Sequence, residues 1–212
     1  MSQFIPSPNT FSRLRGKVVV LTGGSSGIGL ALTTLLHRVG ARVAFGDVSR
    51  DAGEALVASL AKSSTDEETG DVATGTSIGT GMSTVMFVPC DVKKYADIYA
   101  LFRAALDQHG RVDHAVSCAG IVEQGSYFDA DLTIDSVGED EGNRAALDVN
   151  LLGSCHFARI ALPFLRHGRR GGDDCDRSLT FLSSVVAFRD SPGMPMYQVC
   201  TSFLDMISEC PP

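Results

Sequence analysis

The chain has 212 residues, 44% of them hydrophobic and 20% charged, with a formal net charge of −7. That length and balance fit one globular domain with a substantial core and exclude a low-complexity chain. No apolar run is long enough to cross a membrane, and the one basic run, Arg166-His167-Gly168-Arg169-Arg170, reads as a solvated helix end rather than a nucleic-acid surface.

In chain order, residues 1–13 read as a flexible tail. The apolar run Val18-Val19-Val20-Leu21 is a first strand, followed by Thr22-Gly23-Gly24-Ser25-Ser26-Gly27-Ile28-Gly29 and a helix with apolar residues at helical spacing through Leu36. Ala41-Arg42-Val43-Ala44-Phe45-Gly46-Asp47 is a second strand ending in a carboxylate, and a helix spans about 51–61. Residues 62–84 are rich in Ser, Thr and Gly and read as a disordered insertion before a third strand, Val85–Val88. A helix over 95–109 leads to a fourth strand, Asp113–Ser117, closed by Cys118-Ala119-Gly120. An acidic loop over 123–142, a long helix over 143–166 and a fifth strand, Ser178–Leu182, follow, and 199–212 read as an atypical tail. Strands alternating with helices predict a doubly wound parallel sheet covered on both faces, with ligands at the carboxyl ends of the strands.

The glycine run carries the first functional reading. Backbone N–H groups at a helix start bind negative charge, and glycine lets the chain approach a pyrophosphate. A lone triplet could also be only a tight strand–helix turn, but the strand before and the helix after favour a dinucleotide site using Gly23, Ser25, Gly27, Ile28 and Gly29. Asp47 lies 18 positions beyond Gly29. A carboxylate there accepts hydrogen bonds from the hydroxyls of an adenosine ribose and repels a 2′-phosphate, which favours NAD over NADP without excluding the latter. Asp47 can also cap the next helix, and the two roles are compatible. Asp91 and Val92 either flank the adenine ring or form a turn. Six cysteines (Cys90, Cys118, Cys155, Cys175, Cys200 and Cys210) lack metal-ligand spacing, so no metal is expected. With no secretory signal in Met1–Asn9, they read as reduced thiols of a cytoplasmic protein.

Thr22-Gly23-x-x-x-Gly27-Ile28-Gly29, Asp47, Asp91-Val92, Ala119-Gly120, Asn150-Leu151-Leu152-Gly153, Ser183-Ser184 and Tyr197 follow the order and spacing of the short-chain dehydrogenase/reductase family, which the chain resembles over about 14–198. The resemblance implies a Rossmann-type fold of three α/β/α layers and nicotinamide-dependent interconversion of an alcohol and a carbonyl on a small molecule. Ala119 and Gly120 then join the cofactor site. Tyr197 would be the acid/base and would also touch the cofactor. Ser184, 13 positions before it, would hydrogen-bond the substrate oxygen, Ser183 being one residue off the spacing. Asn150 would hold a water in the proton relay.

Three departures stand beside this resemblance. The family's Tyr-x-x-x-Lys reads Tyr197-Gln198-Val199-Cys200-Thr201, so the ammonium that stabilises the tyrosine's phenolate is replaced by a hydroxyl. A remote cation such as Arg189 is the candidate substitute. The family's Asn-Asn-Ala-Gly reads Ser117-Cys118-Ala119-Gly120. Relatives continue beyond the tyrosine through further strands, so the expected sheet lacks the family's last strands and leaves the fifth as an apolar edge. Val199-Cys200 can be encoded by GTATGT, a common start of a fungal intron. The reading frame is therefore expected to enter an unspliced intron after Gln198, the spliced product regaining the lysine. Two other functions compete: a catalytically silent nucleotide-binding protein acting through a partner, and a non-redox cyclase or isomerase. The oligomeric state is left open, a homo-oligomer included.

Overall fold

The computed structural model describes residues 8–66, 84–125, 127–168, 176–189 and 192–208. Five strands form one parallel sheet: β1 (Val18–Thr22), β2 (Arg42–Asp47), β3 (Val85–Pro89), β4 (His114–Ser117) and β5 (Ser178–Phe181), in the order β3-β2-β1-β4-β5. The helices are α1 (Gly27–Arg38), α2 (Arg50–Asp66), α3 (Tyr95–His109), α4 (Ile134–Glu139), α5 (Gly153–Arg166) and α6 (Pro195–Ser208). No helix among the described residues is long and apolar enough to cross a membrane.

The strand β1 is central and every residue of it is buried. Side chains alternate across a strand, so Val20 joins the face covered by α3 and α5, with Ile98, Leu101, Phe102, Phe157 and Phe164. Val19 and Leu21 join the other face, with Leu36 of α1 and Leu60 of α2. Phe102 packs its ring 5.1 Å from that of Phe157 and 5.3 Å from that of Phe164. Each such side chain, fully buried, contributes about 1.5–3 kcal/mol. The result is the three-layer doubly wound sheet that the strand–helix alternation predicts.

At the amino end of the sheet, Asp113 locks β1 against β4. Its Oδ2 accepts from the Val18 N–H at 2.8 Å and from Arg111 Nε at 2.9 Å, which satisfies a carboxylate only 2% exposed.

Several elements differ from the sequence-based expectation. Residues 8–14 form a 3-10 helix, with Leu14 packed on the α1/α2 side of the core, so this part of the expected flexible tail is ordered. The helix α2 runs to Asp66, which moves the start of the insertion; residues 67–83 lie outside the described residues. The acidic loop contains α4, closed by a reciprocal cap: Thr133 Oγ1 accepts from Ser136 N and Ser136 Oγ accepts from Thr133 N. No apolar stripe marks it, because Ile134 is 90% exposed. The long helix over 143–166 contains a π-helical turn, Leu147–Leu152, before α5. The expected tail from Val199 continues α6 as far as Ser208. Among the described residues β5 pairs only with β4, and its residues alternate between exposed and half-buried.

Two histidines sit near the amino end of the sheet. His114 Nδ1 is 3.0 Å from Ser178 Oγ, bridging β4 and β5, while its Nε2 is buried and unpartnered among the described residues. Burial lowers its pKa below the usual 6.5, with Lys17 and Arg111 assisting and Asp176 and Asp113 opposing. Burial and Arg42 likewise lower that of His109. A histidine whose folded pKa is depressed stays neutral in the native chain and binds its proton more readily when unfolded. Stability is therefore full above the unfolded pKa and declines as pH falls through it. Thermal denaturation should show Tm falling by a few degrees between pH 7.5 and 5.5, and His114→Asn should flatten that slope. An equal slope in the variant would remove His114 from the account.

Candidate active site

At the carboxyl end of β1 the chain turns through Gly23 (φ +70°) and Gly27 (φ +50°), the left-handed region that favours glycine. Space enforces the same choice. A Cβ on Gly23 would lie 2.8 Å from the Ala119 Cα, and one on Gly29 would press into the Gly23 carbonyl oxygen. The turn is fastened to β2 by Gly23 N and Gly24 N, which both donate to the Gly46 carbonyl, and to α1 by Thr33 Oγ1, which donates to the Gly24 carbonyl. Ser26 is the N-cap of α1 but makes no side-chain cap, so the first-turn N–H groups face the cleft without a local acceptor. Ser25 Oγ is buried with no partner among the described residues.

Asp47, at the end of β2, is 9% exposed. Its Oδ2 accepts from Ser25 N at 3.1 Å and its Oδ1 from Ser49 N at 3.0 Å. It thus ties the glycine turn to the start of α2 and also lines the cleft. The cleft has two lobes that share Gly23, Ser26, Ala119, Gly120 and Ile121. One, of about 340 Å³, is bounded by Asp47, Val48, Asp91, Val92 and Lys93. The other, of about 260 Å³, runs past Gly27, Ile28 and Gly29 to Asn150, Ser183, Tyr197 and Thr201. A glycine cradle, the first-turn N–H groups of α1 and a strand-end carboxylate along one cleft are groups that could hold a dinucleotide.

Sequence spacing did not single out Lys93, whose Nζ lies 3.8 Å from Asp91 Oδ2. It is the one cation among the described residues lining either lobe, and it stands at the adenosine end. Val48, 73% exposed, offers an apolar surface beside it. Cys90, in the same lobe, has its thiol pushed up to about 12 by burial, with Asp97, Asp91 and Asp47 adding to the rise. Burial also raises Cys118 and Cys155. These thiols stay protonated near neutrality and have little nucleophilic character.

Tyr197 sits in the first turn of α6, its ring half-buried at the cleft. Thr201, one turn on, is 3% exposed, and its hydroxyl donates to the Tyr197 and Gln198 carbonyls at 3.1 and 3.0 Å. Ser183 Oγ donates to the Thr201 carbonyl at 3.0 Å. Ser184 is turned away from the cleft lining: it begins the 3-10 turn Val185–Ala187, its Oγ accepting from Val186 N at a long 3.4 Å. Asn150 also lines the lobe that holds Tyr197. Its Oδ1 accepts from Ile121 N and its Nδ2 donates to the Ile121 carbonyl, both at 2.8 Å, so it clamps the loop after β4. Glu123, on that loop, accepts from Met196 N and Tyr197 N, a contact with no motif to announce it. Arg189 is exposed and does not line the cleft.

The chain is similar to known proteins in sequence and in fold. The sequence pattern described as short chain dehydrogenase matches residues 17–209. The chain is 32% identical over 194 residues to the short-chain dehydrogenase/reductase prx4 of Penicillium roqueforti, covering 91% of this chain and 48% of that protein. It is 32% identical to the L-fucose dehydrogenase of Mus musculus over 158 residues, covering 74% of this chain and 47% of that protein. The chain thus spans about half the length of these curated relatives. Among solved structures, a short chain dehydrogenase/reductase from Burkholderia phymatum in complex with NAD superposes with a TM-score of 0.70 at 22% identity, covering 92% of this chain and 59% of that one. The crystal structure of gox2181 gives 0.69 at 22% identity, covering 93% and 65%. The matching pattern spans nearly the whole chain and the fold agrees, and the chain belongs to the short-chain dehydrogenase/reductase family.

Proposed function

We propose that the chain acts as an NAD(P)-dependent oxidoreductase that interconverts an alcohol and a carbonyl on a small molecule in the cytoplasm. The observation that carries this reading is the cleft itself, where Tyr197 shares one lobe with the glycine turn of a dinucleotide site. Bound there, a nicotinamide supplies or accepts the hydride. The chain's own residues handle the proton and the substrate oxygen. In carbonyl reduction Tyr197 donates its phenolic proton to that oxygen, and in alcohol oxidation it takes the proton back. Ser184, whose Oγ accepts only a long 3.4 Å contact from Val186 N among the described residues, hydrogen-bonds the same oxygen. Asn150 holds Ile121, and with it one wall of the lobe, in place.

NAD is favoured over NADP because Asp47 brings a carboxylate to the adenosine lobe. Lys93, in the same lobe, pairs at 3.8 Å with Asp91 and so offers a weaker counterweight. Calorimetric titration should show Asp47→Asn weakening NAD about tenfold, equivalent to ~1.4 kcal/mol, while narrowing the preference over NADP. Unchanged affinities for both would remove Asp47 from the ribose site.

The catalytic end is handicapped. Among the described residues no Lys, Arg or His lines the lobe that holds Tyr197, and Thr201 offers only an occupied hydroxyl. An ammonium that stabilises a phenolate by two to three pK units is worth roughly 3–4 kcal/mol. This supports a second reading, a nucleotide-binding protein without efficient redox chemistry. Thr201→Lys separates the two. On the first reading it should raise nicotinamide-linked turnover across a panel of alcohols roughly tenfold to a thousandfold, and adding Tyr197→Phe should abolish the gain. NAD binding without any turnover in the lysine variant would establish the second.

A further inference from the structure

We infer that Glu123 is a positioning residue that sets the place of Tyr197 at the cleft. The start of α6 leaves backbone donors that the helix itself cannot satisfy. Pro195 occupies the first helical position and has no N–H, while Gln198 N is the first donor to find an acceptor within the helix, the Met194 carbonyl at 3.0 Å. Met196 and Tyr197 are left as the two orphan donors of the first turn. The residues just before them, Pro192-Gly193-Met194, carry no side-chain oxygen that could cap them. A single carboxylate oxygen from another part of the chain takes both: Glu123 Oε2 accepts from Met196 N at 2.8 Å and from Tyr197 N at 3.1 Å. Its negative charge also suits the positive end of the helix dipole.

The place of Glu123 is itself determined. Two residues upstream, Ile121 is gripped on both its N–H and its carbonyl by Asn150. Farther upstream, Ala119 N donates to Thr22 Oγ1 and lies against Gly23, so the same loop also abuts the glycine turn. A continuous path therefore runs from the glycine turn through Ala119, Ile121 and Glu123 to the backbone N–H of Tyr197. Cys200 adds a second attachment, its Sγ donating to the Ala146 carbonyl at 3.5 Å. The charge of Glu123 is felt there, since it adds to the rise that burial causes in the Cys200 thiol. Glu123 Oε1 is buried and unpartnered among the described residues. A buried carboxylate oxygen without a donor is unfavourable, so this glutamate costs the fold something that the doubly bonded Oε2 must offset. Nothing places Glu123 against the substrate oxygen; it acts through the helix that carries Tyr197.

This role bears on chemistry only if the oxidoreductase reading holds, so the test has an arm independent of turnover. Amide hydrogen exchange, resolved by NMR, is compared in the wild-type chain, Glu123→Ala and Glu123→Gln. Glu123→Ala should speed exchange at Met196 and Tyr197 at least tenfold and leave Ile121 unchanged. Glu123→Gln keeps an acceptor oxygen and should stay within threefold of wild type. Should the alanine variant not fold, Glu123→Asp, one methylene short, carries the same comparison. Wild-type exchange in the alanine or aspartate variant overturns the proposal, as does a glutamine variant that fails as badly as alanine. In the Thr201→Lys background, Glu123→Ala should lower kcat at least tenfold with the KM for NAD within threefold, and glutamine should restore most of it. A matched change in both parameters would mark general damage and overturn the positioning role. A lysine variant with no turnover defeats the oxidoreductase reading, while the exchange data still decide the place of Glu123.

Discussion

The site depends on one side-chain clamp, the pair of 2.8 Å hydrogen bonds between the Asn150 amide and the backbone of Ile121. Without it the loop leaving β4 would have an unpaired N–H and carbonyl beside a cleft, at a cost of about 1–3 kcal/mol for each group left buried and unsatisfied. With it, the loop is held between the glycine turn on one side and α6 on the other. Asn150 can do this because it sits in a π-helical turn, Leu147–Leu152, rather than in regular α-helix. A π turn widens the helix locally and re-aims the side chains on it. The 5% exposure of Asn150 shows how completely this amide is committed to the interior.

The core explains why the cleft opens where it does. The strand β1 has buried neighbours on both faces and in both in-plane directions, so its carboxyl end is the most constrained point of the sheet. The connection from β1 leads to β2 on one side, and the next pair made by β1 is with β4 on the other, so the crossovers diverge at this point. A crevice is left there between the two sets of loops. Close packing at this point leaves no room for side chains on two glycines: a Cβ on Gly23 would lie 2.8 Å from the Ala119 Cα, and one on Gly46 2.7 Å from the Cys90 Cβ.

Much of this was legible in the sequence because it rests on local chemistry. Apolar runs at strand length, helical spacing after Gly29 and a carboxylate at the end of the second strand are properties of neighbouring residues, and β1, α1 and β2 follow them. The parts that were not legible depend on distant partners. The helix α4 is only six residues long, Ile134–Glu139, too short for an apolar repeat to establish a helical period, and it is closed by the Thr133–Ser136 cap. Glu123 meets the Tyr197 N–H across 74 positions of sequence, and no pattern around either residue announces the pairing. Ser184 keeps the family's spacing from Tyr197, yet its hydroxyl takes the nearest backbone donor, Val186 N, which a spacing cannot foresee. Lys93 enters the cleft because the backbone turns after Asp91, where Lys94 N donates to the Asp91 carbonyl and Lys93 N to Asp91 Oδ1, but the turn alone does not say that it borders a cleft.

Thr201 shows how far fold and chemistry separate in this chain. The position is 3% exposed, its hydroxyl is satisfied by two carbonyls of its own helix, and its carbonyl receives Ser183 Oγ. Every polar group at the position has a partner, so packing places no demand for a cation there. A threonine hydroxyl that bonds back to the preceding turn is a common way for a helix to accommodate that residue. The same local satisfaction leaves the hydroxyl no proton to donate into the cleft, because its one proton is already directed at backbone oxygens. The adenosine lobe shows the converse: Asp47 is held by two backbone N–H groups and still presents its carboxylate to the cleft, because a carboxylate has acceptor capacity left after two bonds. Cofactor recognition rests on acceptors that can be shared, whereas proton transfer rests on a charge that must be supplied by a particular side chain. On the proposed function, the architecture can therefore keep the glycine turn and the strand-end carboxylate while a neutral side chain stands at position 201, with no penalty in the core to register it.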